Sequence, residues 1–200
     1  MRPRLLATLV LLIVGVHHAG AQAQSRSGLW LEAGGGTGTI RIGCASCLEP
    51  IALYGNSAYI RVGGTISRKV LLGVETFTLT DRTFALSDGD SSVVVKNTMF
   101  APVALWYPWA GGTYVKFGVG VASTDIRTPP REDTPAIVTN GIGSGLTFGA
   151  GFDIPLSRRF ALTVNGGLYY SALGDVGVNG TLIDDVITTM YNVNFAITIR

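Results

Sequence analysis

Residues 111–123, "GGTYVKFGVGVAS", decide how the chain is read. Val115, Phe117, Val119 and Val121 alternate with Tyr114, Lys116, Gly118 and Gly120. A period of two marks a β-strand, whose successive side chains point to opposite faces. The first set is apolar enough to bury. The second carries a lysine at mid-strand, which must sit either in water or in a polar interior with a counter-charge. The rest of the chain decides between these.

The N-terminus sets which chain is under discussion. Arg2 and Arg4 precede an apolar run over residues 5–16, followed by "HHAGAQAQ" with Ala21-Gln22-Ala23 as a small-x-small site. Basic, then apolar, then cleavable is the order of a secretory signal peptide. At 12 residues the run is too short to cross a bilayer as a helix. Residues 1–23 are therefore expected to be a signal peptide and residues 24–200 the exported domain. His17 and His18, the only histidines, leave with it, and so do two arginines; the 15 basic residues fall to 13, against 13 acidic ones. Nothing about a neutral exported protein suggests nucleic acid as a partner, which needs a basic face.

A mature chain of this size is one domain, long enough for a full core or a closed barrel. Its 27 glycines in 200 residues are about twice the usual ~7 %. Charged residues make up 14 % and hydrophobic ones 47 %. A soluble surface normally carries more charge, so the composition points to a lipid-facing exterior. After the N-terminal run no segment approaches the length of an apolar transmembrane helix.

Period-two alternation recurs to the end of the chain and predicts eight strands, over residues 28–40, 57–66, 70–80, 93–107, 113–123, 145–154, 160–170 and 187–200. The connections "SRK" (67–69), "PWAGG" (108–112) and "PLSRR" (155–159) are short. Those over residues 41–56, 81–92, 124–144 and 171–186 are long, and long and short alternate strictly. This is the plan of an up-and-down barrel in an outer membrane, with short periplasmic turns, long outer loops and an even strand number.

One face of these strands collects Ile60, Val62, Leu72, Val74, Val103, Leu105, the Val115–Val121 series, Leu146, Phe148, Val164, Val193 and Phe195. The other collects Glu32, Tyr59, Arg61, Glu75, Lys96, Lys116, Asp153, Asn165, Asn192, Asn194 and Arg200, with many glycines. Every charge within a strand falls on the second face, which is expected to line a polar lumen where Lys116 meets Glu32, Glu75 or Asp153. The apolar set is too bulky for an eight-stranded interior, which only just holds side chains. Trp30, Trp106, Tyr107, Trp109, Phe160 and Tyr170 lie near strand ends and are expected to form interface girdles. The inside-out competitor is a soluble lipocalin-like barrel around a small apolar ligand.

With signal peptide, strand alternation, loop alternation and glycine-bearing strands such as "YVKFGVGVA" and "LTFGAGFDIPLSRRFAL", the chain resembles the small eight-stranded bacterial outer-membrane barrels of the OmpA/OmpX kind. The resemblance covers about residues 29–200. It implies an all-β, antiparallel, up-and-down transmembrane β-barrel in the outer membrane, with membrane lipid and the barrel-assembly machinery as partners. Such barrels usually end in an aromatic residue that the machinery reads; here the closing strand "YNVNFAITIR" ends Ile199-Arg200, with Tyr191 and Phe195 further in.

Chemistry-bearing patterns are few. Cys44 and Cys47, in "GCASCLEP", are expected to form a local disulfide in an oxidising compartment; residue 48 is Leu, so the histidine of a haem-attachment motif is missing. Glu32, Glu75 and Asp153 are expected to neutralise Arg61, Lys96 and Lys116 in a lumen charge network, because buried charges need partners. "GGGTGT" (34–39) and "GIGSG" (141–145) lack the Gly-Lys-Ser/Thr ending of a phosphate loop. "DGDSS" (88–92) lacks the remaining spacing of a calcium loop. No cofactor or metal is expected. A lipid-modifying barrel enzyme would need an acid–base device, and the mature chain has no histidine to supply the usual one. The expected role is non-enzymatic: envelope integrity, surface adhesion or binding of a surface ligand through four outer loops.

Overall fold

The computed structural model describes residues 27–45, 47, 50–85, 92–109, 111–127, 138–178 and 181–200. The expected signal peptide lies outside the described residues, as do most of the 88–92 motif and residues 128–137. Eight strands follow in order: β1 (Leu29–Gly43), β2 (Ile51–Ser67), β3 (Val70–Ala85), β4 (Ser92–Trp106), β5 (Thr113–Arg127), β6 (Val138–Pro155), β7 (Phe160–Val178) and β8 (Thr181–Ile199). Each pairs antiparallel with the next, and β1 closes on β8 from Leu31↔Ile199 to Gly43↔Ile187. Closure leaves no unpaired sheet edge, which a β-structure in hydrocarbon requires.

The side chains divide as lipid demands. Along β5, Tyr114, Lys116, Ala122 and Thr124 are buried inside, while Phe117, Val119 and Val121 are exposed, Val119 at 59 %. Ile60, Val74, Leu146, Phe148, Val193 and Phe195 are likewise exposed on neighbouring strands. Large side chains displayed all around a soluble protein would aggregate it; around a barrel with a charged interior they form a hydrocarbon-facing belt. The lipocalin-like alternative fails on this point, since it needs the apolar face inside. Lumen glycines make the narrow interior possible: a Cβ on Gly151 would fall 2.4 Å from Cζ of Tyr114.

The strands run well past the expected boundaries. Ladder pairing continues through Ile42↔Ile51, through Arg127↔Val138 and through Val178↔Thr181, all within stretches expected to be loops. The reason is that apolar alternation stops where hydrocarbon stops, whereas backbone pairing needs no apolar side chain and is helped by β-favouring residues such as Thr, Ile and Val. The long connections are thus largely hairpins standing above the belt. At the top of β7–β8 the register shifts between Ala172 and Gly174 and again between Gly174 and Val176. Gly174 takes φ 67° there, and Asp185 opposite takes φ 52°, as bulged backbone often does.

Strand β4 corrects the expected facing. Val103 and Leu105 are buried in the lumen, and Lys96 is exposed on the outer surface. Both faces of β4 are apolar, so its own residues do not choose; its neighbour does. Glu75 is opposite Ala101, and directly opposed residues share a face. An inward Glu75 therefore carries Ala101, Val103 and Leu105 inward and turns Lys96 out, beside its pairing partners Thr80 and Asp125. Two of the expected girdle aromatics, Trp30 and Tyr107, are also buried inside, whereas Trp106, Trp109, Phe160 and Tyr170 are exposed.

Candidate functional site

The barrel centre is built from a row of cross-strand neighbours. Glu32 on β1 is opposite Arg61 on β2, and Arg61 is opposite Glu75 on β3. The Arg61 guanidinium donates Nε–H to Glu75 Oε2 at 2.5 Å and Nη1–H to Glu32 Oε1 at 3.0 Å. Lys116 reaches across from β5, its Nζ donating to Glu75 Oε1 and Oε2 at 2.7 and 3.0 Å. All four side chains are essentially inaccessible. Two carboxylates and two cations make the cluster neutral, the condition under which buried charges are tolerated.

Tyrosines complete the coordination. Tyr169 donates to Glu75 Oε1 at 2.9 Å and lies 2.7 Å from Lys116 Nζ. Tyr59 donates to Glu32, and Asn165 Nδ2–H donates to Tyr59 at 2.5 Å. Arg61 Nη1 also reaches the Tyr114 hydroxyl at 3.3 Å. The Tyr169 ring stacks on Phe77 at 3.9 Å between centroids. Strands β1, β2, β3, β5 and β7 all send groups to this one layer, so it spans the lumen from wall to wall.

A second cluster closes the end at the short turns. Asp153 on β6 pairs with Arg200, accepts from the Tyr107 hydroxyl at 2.9 Å and accepts from Thr163 Oγ1 at 2.8 Å. Thr163 in turn touches Thr198 at 2.7 Å. Of the six residues expected in one network, the structure gathers Glu32, Arg61, Glu75 and Lys116, places Asp153 separately beneath them, and puts Lys96 outside. Cys44 and Cys47 form a disulfide at the outer end of β1. Tyr114 and Tyr169 join the network as ligands beyond the six expected residues. Their signal was parity: Tyr114 is two residues before Lys116, and Tyr169 is in phase with Thr163 and Asn165. Arg200, which alternation places on the lumen face, is the partner of Asp153, a pairing its sequence position does not signal.

Chemically, Glu32, Glu75 and Asp153 are each occupied by a cation and at least one hydroxyl. The arrangement can hold the barrel rigid and block passage.

Solved structures match most of the chain at low identity. Neisserial surface protein A is 13 % identical, with a TM-score of 0.55 over 86 % of this chain and 97 % of that one. Ail, the attachment invasion locus protein of Yersinia pestis in complex with the heparin analogue sucrose octasulfate, is 11 % identical, with 0.57 over 86 % and 99 %. A major outer membrane protein from Thermus thermophilus is 12 % identical, with 0.51 over 85 % and 99 %. The fold is that of the small outer-membrane barrels. No protein-family model and no curated protein matches the chain. Fold and exterior alike are those of an outer-membrane β-barrel, with lipid around its belt.

Proposed function

We propose that the protein is a non-enzymatic outer-membrane barrel whose lumen is shut and whose outer hairpins carry a surface attachment or ligand-binding role. The observation that carries this is the charge layer: Lys116 from β5 and Arg61 from β2 converge on Glu75 from β3, with Tyr169 from β7 closing the gap. An eight-stranded barrel has little free interior, and this layer fills it. The useful surface is then the collar of strands above the belt. Rigid sheet scaffolds commonly carry function on the segments they display.

The collar also narrows the partner. Its described exposed or half-exposed charges include Asp125, Asp175, Asp184 and Asp185 against Arg41, Lys96 and Arg127. A sulfated glycan, such as the analogue bound by Ail, asks for a cationic surplus that these residues do not offer. The partner is an uncharged or cationic surface group. Assembly would use β8, whose lipid face alternates Tyr191, Val193, Phe195, Ile197 and Ile199, as the strand read by the assembly machinery.

The test compares cells displaying the whole barrel with cells displaying a barrel in which all four outer hairpins are shortened, residues 43–50, 82–94, 126–139 and 173–186 each being replaced by a two-residue Asn-Gly turn. Adherence to host-matrix proteins is expected to fall while heat-modifiable gel migration is retained, and planar bilayers are expected to show no steady conductance. Unchanged adherence by a folded trimmed barrel, or a steady open pore, overturns the proposal.

A further inference from the structure

The two ends of the barrel differ in charge, and the difference is built into two copies of one turn. Between β2 and β3 the chain reads Ile66-Ser67-Arg68-Lys69-Val70; between β6 and β7 it reads Leu156-Ser157-Arg158-Arg159-Phe160. The pattern is apolar, Ser, Arg, basic, apolar in both. The backbone matches as well as the sequence. Ser67 Oγ accepts from Lys69 N at 3.3 Å and Val70 N at 3.1 Å; Ser157 Oγ accepts from Arg159 N at 3.3 Å and Phe160 N at 3.1 Å. A serine that ties down the backbone of a turn in this way fixes its shape. Here it presents two basic side chains outward, and all four are exposed.

Position gives these turns their meaning. They are four strands apart in a ring of eight, so they stand at opposite points of the rim. Each is flanked by apolar residues: Ile66, exposed at 68 %, and Leu156, exposed at 63 %, on one side, with Val70 and Phe160 opening the next strands. The third short connection, at the quarter point between them, exposes Trp109, a residue suited to the headgroup boundary. The described carboxylate at this end is Asp153, and it is buried against Arg200. The rim therefore shows four exposed cations, at the edge of a hydrocarbon belt, with no exposed side-chain carboxylate among the described residues.

We propose that these two turns are matched binding sites for the phosphate groups of anionic phospholipids in the leaflet at the short-turn end. Ile66 and Leu156 enter the acyl region, and the two basic side chains of each turn take the phosphate. An arginine guanidinium pairs bidentately with phosphate oxygens, and the neighbouring Lys69 or Arg159 adds a second charge. Holding lipid at two opposite points would fix the depth and tilt of the barrel in the bilayer.

The proposal rests on the barrel being a membrane protein, so the two are read separately: heat-modifiable migration reports the folded barrel, and lipid selection reports the turns. Purified folded protein is equilibrated in mixed micelles of equimolar phosphatidylglycerol and phosphatidylcholine, and retained lipid is counted by native mass spectrometry. Each basic side chain near an anionic lipid is worth about fivefold in binding, so phosphatidylglycerol is expected to be preferred at least tenfold. Arg68→Gln with Lys69→Gln, and Arg158→Gln with Arg159→Gln, are each expected to remove about half of the selected lipid, and the four together all of it. Arg41→Gln with Arg127→Gln, at the opposite end, should change nothing. No preference in the wild type, a preference that survives all four substitutions, or a loss caused by the Arg41 and Arg127 pair overturns the assignment. The two-residue variants still decide the matter if the fourfold variant does not fold.

Discussion

Lys116→Met probes the centre of the barrel. Lys116 contributes one of the two positive charges in a buried cluster of four ionised groups, and its ammonium contacts both oxygens of Glu75. Methionine keeps the length of the side chain and removes the charge, leaving the layer at a net charge of −1. Removing one partner of a buried pair typically costs ~3–5 kcal/mol. Glu75 would keep Arg61 at 2.5 Å and Tyr169 at 2.9 Å, so the expected loss is at the low end, about 3 kcal/mol. The second half of the experiment is Glu75→Gln in the same chain. That double variant leaves Glu32 and Arg61 as a balanced pair, and replacing a whole buried ion pair is often close to neutral. It is therefore expected to be more stable than Lys116→Met alone. Stability is read by reversible urea unfolding in lipid vesicles, followed by tryptophan fluorescence and by the unboiled gel band. The reasoning is refuted if Lys116→Met shifts stability by less than ~0.5 kcal/mol, the scale of an ordinary surface change. It is also refuted if the double variant loses the sum of the two single losses.

Further substitutions test the facing of each side chain. Val119→Arg puts a charge on the lipid face near the middle of β5 and is expected to cost ~2–4 kcal/mol, seen as a lower urea midpoint in vesicles. Lys96→Leu removes an exposed charge outside the lumen; unfolding midpoints should agree with wild type to within ~0.5 kcal/mol, and a loss of several times that would return Lys96 to the interior. Gly151→Val pushes a branched side chain into the space held by Tyr114 and is expected to destabilise by ~1–3 kcal/mol through overpacking, with the hydrogen bond from Arg61 to Tyr114 disturbed. A folded Gly151→Val barrel of unchanged stability would show that the lumen has slack there.

How much of this was legible in advance differs from strand to strand. In β5 one face is Val and Phe and the other is Tyr, Lys and Gly, so parity alone assigns both faces. The same holds for the Arg61 segment of β2 and for β8. Strand β4 was illegible because it is apolar on both faces; its orientation is set by hydrogen-bond register with β3, a non-local fact. The outer reach of the strands was hidden for a related reason. Above the hydrocarbon the inside–outside contrast in polarity fades, while backbone pairing persists.

The candidate site shows the same division. Sequence by itself determined the strand number, the closed antiparallel plan, the lipid-facing belt and the fact that Lys116 must meet a carboxylate inside, because these follow from side-chain alternation and from the cost of an unpaired buried charge. Only the tertiary structure decided which carboxylate. Glu75 and Asp153 have the same parity, and strand stagger around the closed barrel brings Glu75 to the level of Lys116 and leaves Asp153 lower, with Arg200. That stagger is a property of how eight strands tilt to close a cylinder, and it brings together residues that no local pattern relates.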